Sequence, residues 1–165
     1  MLGFTGYYRR FIENFTKIAS PLFKFLTKDY EFSWNPDCQL AFETLKEKIS
    51  EAPILRGPNL RLPFHISIDA LDTTLVAVLG KKDLTPYAIY YTSKNLTLTK
   101  LNYTMTEKEF LVVVHAINKF RHYIICYETF VHTDQSAIRY MMNKPITNGK
   151  ITRWLLLLQE FNIIV

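Results

Sequence analysis

The sequence predicts an α/β fold, in an α+β arrangement: a mixed sheet with helices packed on it, preceded by a small helical segment. Two observations carry this. Hydrophobic periodicity is helical up to about Ala52, drops to two beyond a break rich in proline, and returns to helical after Thr104. The 165 residues are also 48% hydrophobic and 15% aromatic, which is ample material for a packed core.

The elements follow in order. In the first segment Ser20 before Pro21 reads as an N-cap followed by a favoured first-turn residue, and Asn35 before Pro36 repeats the signal. After Asn35, apolar residues at Cys38, Ala41, Phe42, Leu45 and Ile49 make one face of an amphipathic helix. The run from Pro53 to Asn59, with two prolines and Gly57, then marks the boundary, giving a helical unit over 1–56 and a second unit over 60–165. Residues 62–69, about 73–80 and about 86–93 alternate as three consecutive strands. Relative to Glu109, Val113, Ala116 and Phe120 fall at i+4, i+7 and i+11, and Phe110, Val114 and Ile117 widen that face into a long buried helix. A strand from Phe130 to Asp134, short helices after Ser136 and after Gly149, and a strand starting at Asn162 complete the expectation.

Composition narrows the function classes. The formal net charge of +5 suits contact with a polyanion without requiring it. Cys38 and Cys126 are too few and too far apart for a metal finger or a disulfide framework, and both read as core thiols in a reducing compartment. No stretch approaches the roughly 18 apolar residues of a membrane helix, so the expectation is a soluble, intracellular chain that binds no membrane.

Three carboxylates stand out. Asp69 closes the alternating run from Phe64, Glu109 lies near the start of the long helix, and Asp134 closes the run from Thr129. Strand ends and first helical turns hold oxygen ligands more steadily than loops do, which is what a divalent cation needs. Each acid also has a plainer role. Asp69 can be a polar strand end, and Asp134 can open a turn before Gln135 and Ser136. Thr106 with Glu109 spells a capping box, but so does Thr104 with Glu107, and if the helix starts after Thr104 then Glu107 caps it and Glu109 stays at the border of the apolar face. Geometry alone leaves Glu107 and Glu109 both open as ligands. His132 shares the strand parity of Asp134 and reads as half-buried, while His65, His115 and His122 have no zinc-type spacing.

The surrounding words are specific: Leu2-Gly3-Phe4-Thr5-Gly6-Tyr7-Tyr8-Arg9-Arg10-Phe11-Ile12, Ile68-Asp69-Ala70, Tyr103-Thr104-Met105-Thr106-Glu107-Lys108-Glu109-Phe110, Thr133-Asp134 and Arg153-Trp154 through Phe161. In this order they resemble the polyprotein of gypsy-type long-terminal-repeat retrotransposons, from the end of the reverse transcriptase into its ribonuclease H domain, over essentially the whole chain. The resemblance implies an RNase H-like sheet over 60–165 and a thumb- or connection-like helical remnant over 1–56. It implies metal-dependent cleavage of the RNA strand in an RNA:DNA hybrid, with Mg2+ or Mn2+ held by Asp69, Glu109 and Asp134, and it decides for Glu109 over Glu107. Its implied partners are the hybrid and the upstream reverse-transcriptase domains, in a cytoplasmic particle or the nucleus. Tyr7, Tyr8, Arg9, Arg10 and Lys17 would then be placed to grip duplex phosphates.

Departures from the family pattern are equally specific. Thr74 and Val76 stand where small glycines are usual and are expected to crowd the second strand, and Gln135 replaces a histidine. The chain starts at a Met inside a family word and stops at Val165, short of the helix that carries the family's fourth acid, and Asp72 is too close to Asp69 to replace it. The expectation is a fragment with weak or absent cleavage. The alternative is a non-catalytic module of the same fold that binds nucleic acid or a polymerase subunit.

Overall fold

The computed structural model describes residues 6–28, 31–51, 57–133 and 149–165. Its helical segment holds α1 (Phe15–Phe23), flanked by 3-10 turns at Arg9–Phe11 and Lys24–Leu26, and α2 (Pro36–Ser50). Asn35 caps α2 as its sequence predicts, its Oδ1 accepting from the Cys38 N–H at 2.9 Å. Ser20 and Pro21 do not start a helix: Pro21 lies inside α1, whose N-cap is Asn14 in the left-handed region at φ 55°. The 4-and-3 spacing of Phe15, Ala19 and Leu22, all buried, holds Pro21 in helical conformation although it has no N–H to give the Lys17 carbonyl. Those residues, with Ile12 and the α2 face of Cys38, Ala41 and Leu45, form one hydrophobic cluster.

Beyond Gly57 come β1 (Phe64–Ala70), β2 (Thr74–Lys81) and β3 (Tyr87–Asn95), a short α3 (Leu98–Leu101), the long α4 (Met105–Ile124), β4 (Thr129–His132), α5 (Gly149–Leu158) and β5 (Ile163–Ile164). The sheet order is β3-β2-β1-β4-β5, with the first two pairings antiparallel and β1·β4 and β4·β5 parallel. This is the mixed sheet expected from strands followed by a helix. The expected helix after Ser136 lies outside the described residues.

Alternation in β1 puts Phe64 and Ile66 into the core against α4, whose Phe110, Val113, Ala116, Ile117 and Phe120 are buried, and turns His65, Ser67 and Asp69 to the other face. Trp154 of α5 stacks on Phe110 with ring centroids 5.6 Å apart. The β1·β2 register runs without a bulge from Phe64↔Lys81 to Ala70↔Leu75. The expected crowding is therefore not found. Thr74 is buried with its hydroxyl donating to Asn95 Oδ1 at 3.1 Å, and Val76 pairs opposite Asp69. The register shift in β2 comes later, at Leu79/Gly80, where a Cβ on Gly80 would stand 2.8 Å from the Tyr87 carbonyl oxygen. Cys38 is buried, whereas Cys126 is exposed just past the end of α4 and is no core thiol.

The helical segment lies against the outer strand of the sheet. Thr16 N–H donates to Ser93 Oγ at 3.0 Å and Thr16 Oγ1 donates to the Ser93 carbonyl at 2.9 Å, joining α1 to β3.

Candidate active site

The start of α4 gives the two glutamates different surroundings. Thr104 is the N-cap: its hydroxyl accepts from Glu107 N–H at 3.3 Å, and Glu107 Oε2 accepts from Thr104 N–H at 3.1 Å. The capping box thus occupies Glu107. Glu109 is the fifth helical residue, beyond the first turn, and is 6% exposed. A carboxylate buried to that degree is costly unless polar groups meet it. One that does is the Thr133 hydroxyl, 3.5 Å from Glu109 Oε2. Thr133 follows the last residue of β4, and Asp134 comes next in sequence.

Asp69 is the penultimate residue of β1 and is exposed. Because β1 and β4 are parallel neighbours, their carboxyl ends lie side by side, and α4 opens over the same end. Lys108 shows this independently. It is buried, and its ammonium donates to the Asp72 carbonyl at 3.3 Å in the turn that leaves β1. The structure therefore brings the start of α4 to the carboxyl ends of β1 and β4. Alternation turns Asp69 to the face of His65 and Ser67, and Glu109 comes from the first turns of α4. Asp134 lies outside the described residues. Among the described residues no group of three or more His, Cys, Asp or Glu stands close enough to hold a metal ion.

Two features here escape the sequence. Lys108 is one; its only sequence signal is its place beside Glu109 in a helix whose face it does not share. The other is a histidine pair: His65 Nδ1 and His132 Nε2 are 2.8 Å apart with their rings stacked, on the side of the sheet away from α4. His132 is exposed, not half-buried. Burial lowers the proton affinity of His65 first, then His132, Lys82 and Lys81; burial and then Lys82 lower that of His132. The two rings share a hydrogen bond only because the parallel register sets Ser67 against His132, and that register is not written in either strand.

The fold is that of the RNase H-like units of reverse transcriptases. The solved structure of a foamy viral protease-reverse transcriptase in complex with dsDNA superposes with a TM-score of 0.82 at 20% identity, over 99% of this chain and 36% of that one. The same enzyme in complex with an RNA/DNA hybrid gives 0.79 at 19% identity, over 99% of this chain and 23% of that one. Sequence carries the family as well as the fold. The profile of the RNase H-like domain found in reverse transcriptase matches residues 34–137, and the chain belongs to that family. Relatives include the retrovirus-related Pol polyprotein from transposon 297 of Drosophila melanogaster, 35% identical over 161 residues, and the transposon Tf2-3 polyprotein of Schizosaccharomyces pombe, 31% identical over 167. These alignments take in 97% and 98% of this chain but only 15% and 12% of the relatives' lengths.

Proposed function

We propose that this chain is the part of a retrotransposon polyprotein that cleaves the RNA strand of RNA:DNA hybrids, with Asp69, Glu109 and Asp134 as its acids. The observation that supports it best is the buried carboxylate of Glu109 at the carboxyl ends of β1 and β4, with the residue before Asp134 at its Oε2. Helix capping does not account for Glu109, because Glu107 already does that work. RNase H-like domains of reverse transcriptases are generally dependent on divalent metal.

The donor set fits such a metal. Carboxylate oxygens are hard ligands suited to Mg2+ or Mn2+, and a carboxylate so enclosed gains most from a cation beside it. When bound, such ions supply Lewis acidity to the phosphodiester and a lowered proton affinity for the attacking water. The chain's own residues position. The capped start of α4 fixes Glu109, and Lys108 ties that turn to the β1–β2 connection three residues past Asp69. Hybrid is selected by backbone shape and 2′-hydroxyl contacts. The helical segment joins this sheet to the upstream polymerase domains.

The test is cleavage of a labelled hybrid in millimolar Mg2+ by the wild type and by Asp69→Asn, Glu109→Gln and Asp134→Asn. The wild type is expected to cut weakly and each substitution to abolish the cutting that remains; cutting retained by Glu109→Gln would overturn the assignment. A second reading, a non-catalytic module that binds hybrid, is favoured by the exposure of Asp69 on the face away from α4. Under it the wild type binds hybrid in EDTA and cuts none in Mg2+ or Mn2+.

A further inference from the structure

We propose that the cavity between the helical segment, β3 and α4 is a binding site for a phosphate group. The cavity measures about 300 Å³, and its lining includes Arg9, Thr16, Thr92, Lys94, His115 and Lys119. Its three cations come from three elements: Arg9 from the first 3-10 turn, Lys94 from β3 and Lys119 from α4. Among the described residues no Asp or Glu lines it, and none of the three takes part in an ion pair. Glu13, an exposed residue, acts on Tyr91 of the lining. Lys119 also stands 5.7 Å from the Tyr90 ring centroid.

Like charges gathered around one concavity repel, and the fold gathers them by docking α1 on β3 through Thr16 and Ser93. An anion removes that repulsion. A phosphate group suits the geometry because its several oxygens can meet donors from different walls at once, which a carboxylate's two cannot. The neutral donors are there too. Thr92 is 8% exposed, with its Oγ1 3.3 Å from His115 Nε2. The proton affinity of His115 is held down to about 4, first by burial and then by Lys94, Lys119, Lys100 and Arg9. The ring is therefore neutral at pH 7, with one N–H to donate and no fourth positive charge.

The site is separate from the acids. Lys119 is ten residues beyond Glu109 on the same helix, about 15 Å along its axis. It stands whether or not the acids hold metal.

The phosphate has two possible sources, the backbone of a nucleic-acid strand and a free phosphate anion, and the experiment distinguishes them. The ring signals of His115 are followed by NMR in the whole chain, at ionic strength held constant with sodium chloride. Inorganic phosphate, pyrophosphate and a short RNA:DNA hybrid in EDTA are titrated in turn. The expected result is a saturable shift, with the His115 pKa rising by about one unit once an anion faces the cations. Affinity should fall at least tenfold in Lys94→Gln/Lys119→Gln. Saturation by the hybrid, in competition with phosphate, assigns a strand backbone; saturation by phosphate and pyrophosphate alone assigns a free anion; both support the site. No saturable response to any of the three overturns it, as does a response undiminished in the double variant. Arg9→Gln, altered in an exposed turn, serves the same comparison if the double variant loses its folded spectrum.

Discussion

The helical segment and the sheet unit solve the same problem with unequal means. The sheet core closes Phe64, Ile66 and Leu79 of adjacent strands under Phe110, Ile117 and Phe120 of α4, all fully buried and distant in sequence. The helical segment closes Ile12, Phe15, Ala19 and Leu22 on Cys38, Ala41 and Leu45 from two helices, and leaves Phe32 and Trp34 at its surface 72% and 45% exposed. Its cluster is the smaller of the two, and the Thr16–Ser93 hydrogen bonds tie it to β3. The two clusters meet at the α1–β3 seam, and the basic cavity lies there.

The comparison can be broken at its strong side first. Phe120→Ala removes a fully buried ring and should cost about 3–5 kcal/mol of global stability, read by urea denaturation. Leu45→Ala is expected to cost about 2–4 kcal/mol, but locally. Amide exchange should quicken across 15–50 and stay slow across 110–124. Equal acceleration in both stretches would show that the two units unfold as one.

At the seam itself, Thr16→Val deletes the hydroxyl that donates to the Ser93 carbonyl and lies 2.7 Å from Ser93 Oγ. Leaving that part-buried carbonyl without the hydroxyl should cost about 1–3 kcal/mol and raise protease sensitivity of the helical segment ahead of the sheet. An unchanged digestion pattern would mean that apolar contact alone seats it. The smallest effect belongs to pH. His115 has its affinity lowered from 6.5 to about 4 on folding, so the unfolded chain binds the proton first. Its contribution to stability is complete above pH 6.5 and is lost as the pH falls toward 4, with a loss under about 1 kcal/mol at pH 6 because part of the ring is screened by solvent. His115→Gln should flatten that part of the stability profile in buffers free of phosphate.

Much of this was legible in the sequence because the signals are local. The Asn35-Pro36 start of α2, the Thr104–Glu107 box and the apolar stripe of α4 each depend on residues within a few turns of one another. The alternation of β1 to β3 is of the same kind, and so these elements were found within a few residues of their bounds. The Ser20-Pro21 signal failed for an equally physical reason: a proline's preference for a helix start is a few kcal/mol at most, and burying Phe15, Ala19 and Leu22 outweighs it.

Sequence alone determined the family, most of the elements, and the Thr104–Glu107 box that caps α4. Only the tertiary structure decided what meets what. The parallel pairing of β1 with β4 sets the end of one strand beside the end of the other, stacks His65 on His132, and brings Thr133 to Glu109. The seating of α1 on β3 gathers Arg9, Lys94 and Lys119 around His115. Strand register and docking are fixed by the sum of many weak contacts between residues far apart in sequence, and no short stretch of chain carries that sum.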